Sequence, residues 1–80
     1  MAFGFFKKKQ DFWKATFKTL GSAYSYSKPG DVIVIQEPVG DYSEMQFARK
    51  LDEYMYKYKV NKLTEPTQVA EFWEVQLERG

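Results

Sequence analysis

Lys28-Pro29-Gly30-Asp31-Val32-Ile33-Val34-Ile35-Gln36-Glu37-Pro38 is the stretch on which the fold turns. Pro29 presets φ at the second position of a turn, and Gly30 accepts a positive φ at the third. Four β-branched residues follow, whose stiff side chains favour a pleated, buried strand. Pro38 ends it. On the other side of the turn, Ala23-Tyr24-Ser25-Tyr26-Ser27 alternates small or polar residues with aromatics, the period of two that marks a strand. A β-hairpin over about residues 23–38 is therefore expected.

Downstream, Val39-Gly40-Asp41-Tyr42 reads as a loop. Ser43 with Gln46 three residues on has the spacing of a capping box, which starts a helix over about residues 43–58. Phe47, Ala48, Leu51, Tyr54, Met55 and Tyr58 form its apolar stripe. Arg49, Lys50, Glu53 and Lys57 form the wet face, with Glu53 and Lys57 a favourable i,i+4 pair. Residues 64–67 are a turn or a helix start. The last segment fits two periods. Val69, Phe72, Trp73 and Leu77 share a helix face, while Trp73, Val75 and Leu77 alternate with Glu74, Gln76 and Glu78 as a strand. A third strand over about residues 70–78 is preferred, because a two-stranded hairpin alone is marginal in water. Residues 31–38, 43–58 and 70–78 then make a β-α-β unit, right-handed if its strands are parallel neighbours.

Upstream, residues 5–20 have the pattern of an amphipathic helix. Phe5, Phe6, Phe12, Trp13, Thr16, Phe17 and Leu20 fall on one side. Lys7, Lys8, Asp11, Lys14 and Lys18 fall opposite, with Lys9 the exception. Gly21-Ser22 is the stop. The expected fold is thus α+β. A small, mainly antiparallel sheet, made of the hairpin over 23–38 and a C-terminal strand over 70–78, is covered by amphipathic helices at 5–20 and 43–58. The whole of residues 1–80 is a single compact domain, with a core drawn from Phe12, Trp13, Phe17, Leu20, Ile33, Ile35, Phe47, Leu51, Tyr54 and Trp73. Within it, Lys28-Pro29-Gly30-Asp31-Val32-Ile33 resembles the turn-and-strand phrase of many β-rich domains, PDZ domains among them. The likeness is one of turn chemistry. The chain is shorter than a PDZ domain and is expected to open with a helix, so no function is transferred.

Seven Phe, six Tyr and two Trp stand among 80 residues that include no His and no Cys. A chain of this length buries only about 60–65% of the surface its unfolded form exposes. Disulfides and Cys/His zinc sites are unavailable to it. Rings that each bury roughly 150–250 Å² offset part of that deficit, but a small core need not absorb fifteen of them. Surplus rings belong at an interaction surface, or at the interface of a homodimer.

The same composition argues against catalysis. Ser22, Ser25, Ser27 and Ser43 have no His to activate them, and Asp52 and Glu53, adjacent on a helix, point in different directions. Gly40-Asp41-Tyr42-Ser43-Glu44 does not have the ligand spacing of a hard-ion loop, and no Gly-Lys-Ser/Thr phosphate loop occurs. The expectation is no enzyme, no metal, no cofactor and no small-molecule substrate. Without an apolar run of membrane-spanning length, and with the apolar N-terminal residues preceding the lysines rather than following them, a cytoplasmic location is expected.

Three binding functions remain. The leading one is a protein–protein interaction module of the adaptor, inhibitor or regulatory type. Interface centres favour Tyr, Met and Arg, and the wheel of the 43–58 helix groups Tyr56, Met45 and Arg49 on the side away from Leu51. The alternative is nucleic-acid binding through Lys7, Lys8, Lys9, Lys14 and Lys18, with Tyr24 and Tyr26 on one face of a strand as a stacking platform. Residues 1–40 carry six lysines against three carboxylates, whereas residues 41–80 carry six basic against eight acidic groups. The overall charge of +1 is too balanced for a protein whose main task is neutralising phosphates. The third is association with a membrane surface through the basic, Phe- and Trp-bearing N-terminal helix.

Overall fold

The structure is a computed structural model and describes residues 12–80. Its centre is the strand read first from the sequence, β2 (Val32–Pro38), and the C-terminal strand β5 (Phe72–Arg79), which pairs antiparallel with it from Val32 opposite Glu78 to Pro38 opposite Phe72. A short strand β1 (Phe12–Ala15) lies parallel to β2 on its other side. On the far side of β5 run two short strands, β3 (Val60–Lys62) and β4 (Thr67–Val69), both antiparallel to it. They are two ends of one interrupted edge. Between them the Leu63 N–H donates to the Gln76 carbonyl, and the Gln76 N–H donates to Thr64 Oγ1. The described residues form a small α+β domain with a five-stranded, mostly antiparallel sheet and two helices, α1 (Leu20–Tyr26) and α2 (Glu44–Lys57).

Both helices lie on one face. β1 to β2 through α1, and β2 to β3 through α2, step across the sheet in the same direction, and right-handed crossovers put such connections on the same side. Leu20 and Ala23 of α1, and Phe47 and Leu51 of α2, accordingly join Ala15, Ile33, Ile35, Val75, Leu77 and Val60 of the sheet in one core with Phe17. Strand alternation does the rest. Trp13, Ala15, Ile33, Ile35, Trp73, Val75 and Leu77 face the helices, while Phe12, Lys14, Val32, Val34, Gln36, Phe72, Glu74, Gln76 and Glu78 face away.

Several elements differ from the sequence expectation. Residues 12–19 are not helical: Phe12–Ala15 is strand and residues 16–19 are turn, closed by Thr16 and Thr19 bonding each other's backbone and hydroxyl groups. Residues 5–11 of the expected helix over 5–20 lie outside the described residues. Phe, Trp and Thr are poor helix formers and good strand formers, and β2 offers an edge to pair with. The hairpin over 23–38 is not formed, because residues 23–26 belong to α1. The spacing that wins is Leu20, Ala23 and Ser27, all buried at helical intervals. The parallel partner of β2 is therefore β1 rather than the C-terminal strand. Of the expected core, Phe12 is corrected: it lies on the outward face and is 44% exposed. Trp13, Tyr54 and Trp73 pack on the core while remaining partly exposed.

Two connections explain why the ends of β2 hold their shape. At its start, the Asp31 carboxylate accepts both Trp13 Nε1–H (3.1 Å) and the Lys28 N–H (3.0 Å). Gly30 takes the left-handed φ of 95° that the turn requires. At the other end the Glu37 carboxylate, on the core face of β2, accepts the Phe17 N–H at 2.7 Å.

Candidate protein-interaction site

The helix α2 is held at both ends and along one side. At its start, Ser43 Oγ accepts the Gln46 N–H and Gln46 Oε1 accepts the Ser43 N–H, the expected capping box. Along its inner side Phe47 and Leu51 are buried, and Tyr54, Met55 and Tyr58 pack against the core. The outer side carries Met45, Arg49, Asp52 and Tyr56, spaced four, three and four residues apart and hence in one line. All four are exposed, Met45 at 66% and Tyr56 at 95%. The three residues singled out from the sequence are thus brought together on a rigid support roughly 16 Å long. The stripe combines a deformable thioether, a five-donor guanidinium and an amphipathic ring. Among the described residues no ion pair engages Arg49 or Asp52.

The alternative set is dispersed. Lys7, Lys8 and Lys9 lie outside the described residues. Lys14 stands on the outward face of β1, whereas Lys18 lines a groove on the helix side. Tyr24 and Tyr26 do not share a strand face. They sit two residues apart on α1, about 200° around the helix. Tyr24 packs against Tyr58 (ring centroids 5.0 Å apart) and beneath the Arg79 guanidinium (4.2 Å), while Tyr26 is 75% exposed. The expected stacking platform is therefore absent. The outward sheet face, which does carry Phe12 and Phe72, sets Lys14 against Glu74 and Glu78 and so has no basic surplus.

Sequence reasoning passed over the groove on the helix side. It has a volume of about 680 Å³ and is lined by Thr16, Phe17, Lys18, Glu37, Asp41, Tyr42, Lys50 and Tyr54. An aromatic ladder forms its floor and continues between the helices. Phe17 and Tyr54 stack at 5.3 Å with 6° between ring planes, Tyr54 and Tyr58 at 6.3 Å and 6°, and Tyr58 then meets Tyr24. The mixed charges around the groove, two lysines and two carboxylates, favour no single ligand class. The signal for Glu37 was available, since strand alternation puts residues 33, 35 and 37 on the same face. Its contact to Phe17 gives it a structural role there.

Comparison with protein-family models, with curated proteins and with solved structures finds no match to this chain. Among the described residues, no helix is long and apolar enough to cross a membrane.

Proposed function

We propose that this protein is a small non-catalytic binding module that acts through protein–protein contact, with Met45, Arg49 and Tyr56 of α2 as the centre of its contact surface. The observation that carries the reading is the exposure of Tyr56: a large ring 95% exposed on a helix whose other rings are all engaged. Tyr56 adds nothing to the core, so its ring is free to meet a surface outside the chain. Tyr, Arg and Met are the types enriched at the energetic centres of interfaces, and a capped helix presents them with little ordering cost.

The test is a pair of variants, Tyr56→Ala and Arg49→Ala, each checked for fold by circular dichroism and used as bait against the wild type. Loss of a specific protein partner with the fold intact supports the reading. Retention of every wild-type partner by both variants rejects it.

A further inference from the structure

The outer stripe of α2 has an internal symmetry. Met45, Arg49, Asp52 and Tyr56 follow one another at four, three and four residues, the spacing of the seam along which two helices pack side by side. They also pair off around one midpoint, between Lys50 and Leu51. Arg49 and Asp52 are the inner pair, Met45 and Tyr56 the outer pair. A stripe arranged in this way is complementary to a reversed copy of itself. It lies roughly 150° around the helix from Phe47 and Leu51, which are buried against the sheet, so it is the most outward line of α2.

We infer, building on the contact surface proposed above, that the occupant of the stripe is a second copy of the same chain, with the two α2 helices antiparallel. An isologous contact repeats every pair through a two-fold axis, here at the level of the midpoint. Met45 then meets Tyr56 of the second copy at both ends of the seam, a thioether on a ring. Arg49 shares a layer with Asp52 of the second copy, twice. Glu53 lies on the same side of the seam as Arg49, and on the two-fold it comes within about one residue's rise of the second copy's guanidinium. The like pairs that the axis creates, Arg49 with Arg49 and Asp52 with Asp52, are offset by about 4.5 Å along the helices, and each member has the opposite charge in its own layer. The helix carries three basic and three acidic residues, so the two faces meet with no net charge. A parallel pairing in the same register would instead set Arg49 on Arg49 and Asp52 on Asp52. The antiparallel one also places opposite ends of the helix dipoles side by side.

The size of the contact sets its strength. The 14 residues of α2 span about 21 Å. Each Tyr56, 95% exposed in the single chain, offers roughly 150–250 Å² for burial. Two helices of this length bury less total surface than the roughly 1,200 Å² at which lasting complexes begin. The dimer therefore belongs to the weak, reversible class, with a dissociation constant of about 0.1–1 mM.

Sedimentation equilibrium of the full chain, carried to about 2 mM, tests this. The wild type is expected to dimerise, and Tyr56→Ala to weaken the dimer about tenfold or more with an unchanged circular dichroism spectrum. Arg49→Asp and Asp52→Arg are each expected to weaken it similarly, since each leaves a single sign of charge in every inner layer. An equimolar mixture of those two variants is expected to associate as a heterodimer, because opposite charges face each other again. A role for either residue within its own chain gives no such rescue. The chain has no Cys, so introduced thiols report the register: Met45→Cys chains are expected to form disulfides with Tyr56→Cys chains faster than either forms them with itself. A wild type that stays monomeric at about 2 mM overturns the inference. Capture of a different protein by that monomer and not by Tyr56→Ala would then keep the α2 contact surface and remove only the second copy, so the two failures are told apart. A dimer indifferent to Tyr56→Ala and to both charge reversals, or a mixture of the charge variants that stays monomeric, also overturns it.

Discussion

Glu37 and Phe17, twenty residues apart in sequence, are joined by a 2.7 Å hydrogen bond from the Phe17 backbone N–H to Glu37 Oε2, at a site that is buried on both sides. The bond fixes the 16–19 turn against the end of β2 and so sets where Phe17 enters the core. There the Phe17 ring meets Phe47, Tyr42 and Tyr54. Removing the acceptor leaves a buried N–H without a partner, at a cost of about 1–3 kcal/mol. Glu37→Leu is therefore expected to lower unfolding free energy by that amount. Glu37→Gln, which keeps an acceptor oxygen, is expected to cost less. Urea unfolding of the two variants checks the order, and equal losses would contradict it.

Asp31 makes a pH-dependent contribution. The hydrogen bond from Trp13 Nε1, and then the one from the Lys28 N–H, stabilise its charged form and hold its pKa below the usual carboxylate value of 3.8. A carboxylate with a lowered folded-state pKa contributes stability that is present above its unfolded pKa and is lost as pH falls through the folded one. Asp31→Ala should be less stable than the wild type near neutral pH, and the gap should shrink on acidification below about pH 4. Unfolding curves at the two pH values measure this. A gap that widens in acid contradicts the assignment.

Ala70, at the first of the two residues linking β4 to β5, has φ of 55°. A Cβ in that region costs roughly 1–2 kcal/mol, partly offset on replacement by the greater freedom of unfolded glycine. Ala70→Gly is expected to stabilise the domain by up to about 1 kcal/mol, which raises the melting temperature of a domain this size by about 4–8 °C per kcal/mol. A lower melting temperature would contradict the strain.

Ser43→Ala removes the side-chain half of the α2 capping box and should cost about 1 kcal/mol. Because the outer stripe rides on α2, the same variant should weaken partner binding less than Tyr56→Ala does, and Tyr56→Ala should leave stability within about 0.5 kcal/mol of wild type. Paired melting and binding measurements on the two variants separate support from contact.

What the sequence made legible follows from period and length. Val32 to Ile35, the 43–58 helix with its Ser43 and Gln46 cap, and the C-terminal strand each obey one period clearly enough to be read without a partner. Residues 12–27 do not. Phe12, Trp13, Thr16, Phe17 and Leu20 fit a helical wheel, yet the first two are strand because β2 provides a parallel edge for them. Tyr24 and Tyr26 alternate, yet the buried positions Leu20, Ala23 and Ser27 decide for helix. The short strands β3 and β4 are mostly polar and exposed, and exist because β5 has a free side to pair with. The α2 stripe was legible because a single helix defines it. The outward sheet face was not, because it depends on both crossovers falling on one side.

The central claim, that α2 presents a protein-contact stripe, is tested most directly by placing a photo-crosslinking residue at position 56 in cells of the native host. A control chain carries it at Ser25, which is exposed on α1. The stripe predicts a discrete protein adduct from position 56 that is absent from position 25 and is lost when Met45 and Arg49 are both changed to Ala. The same adducts from both positions, or none from position 56, would contradict it.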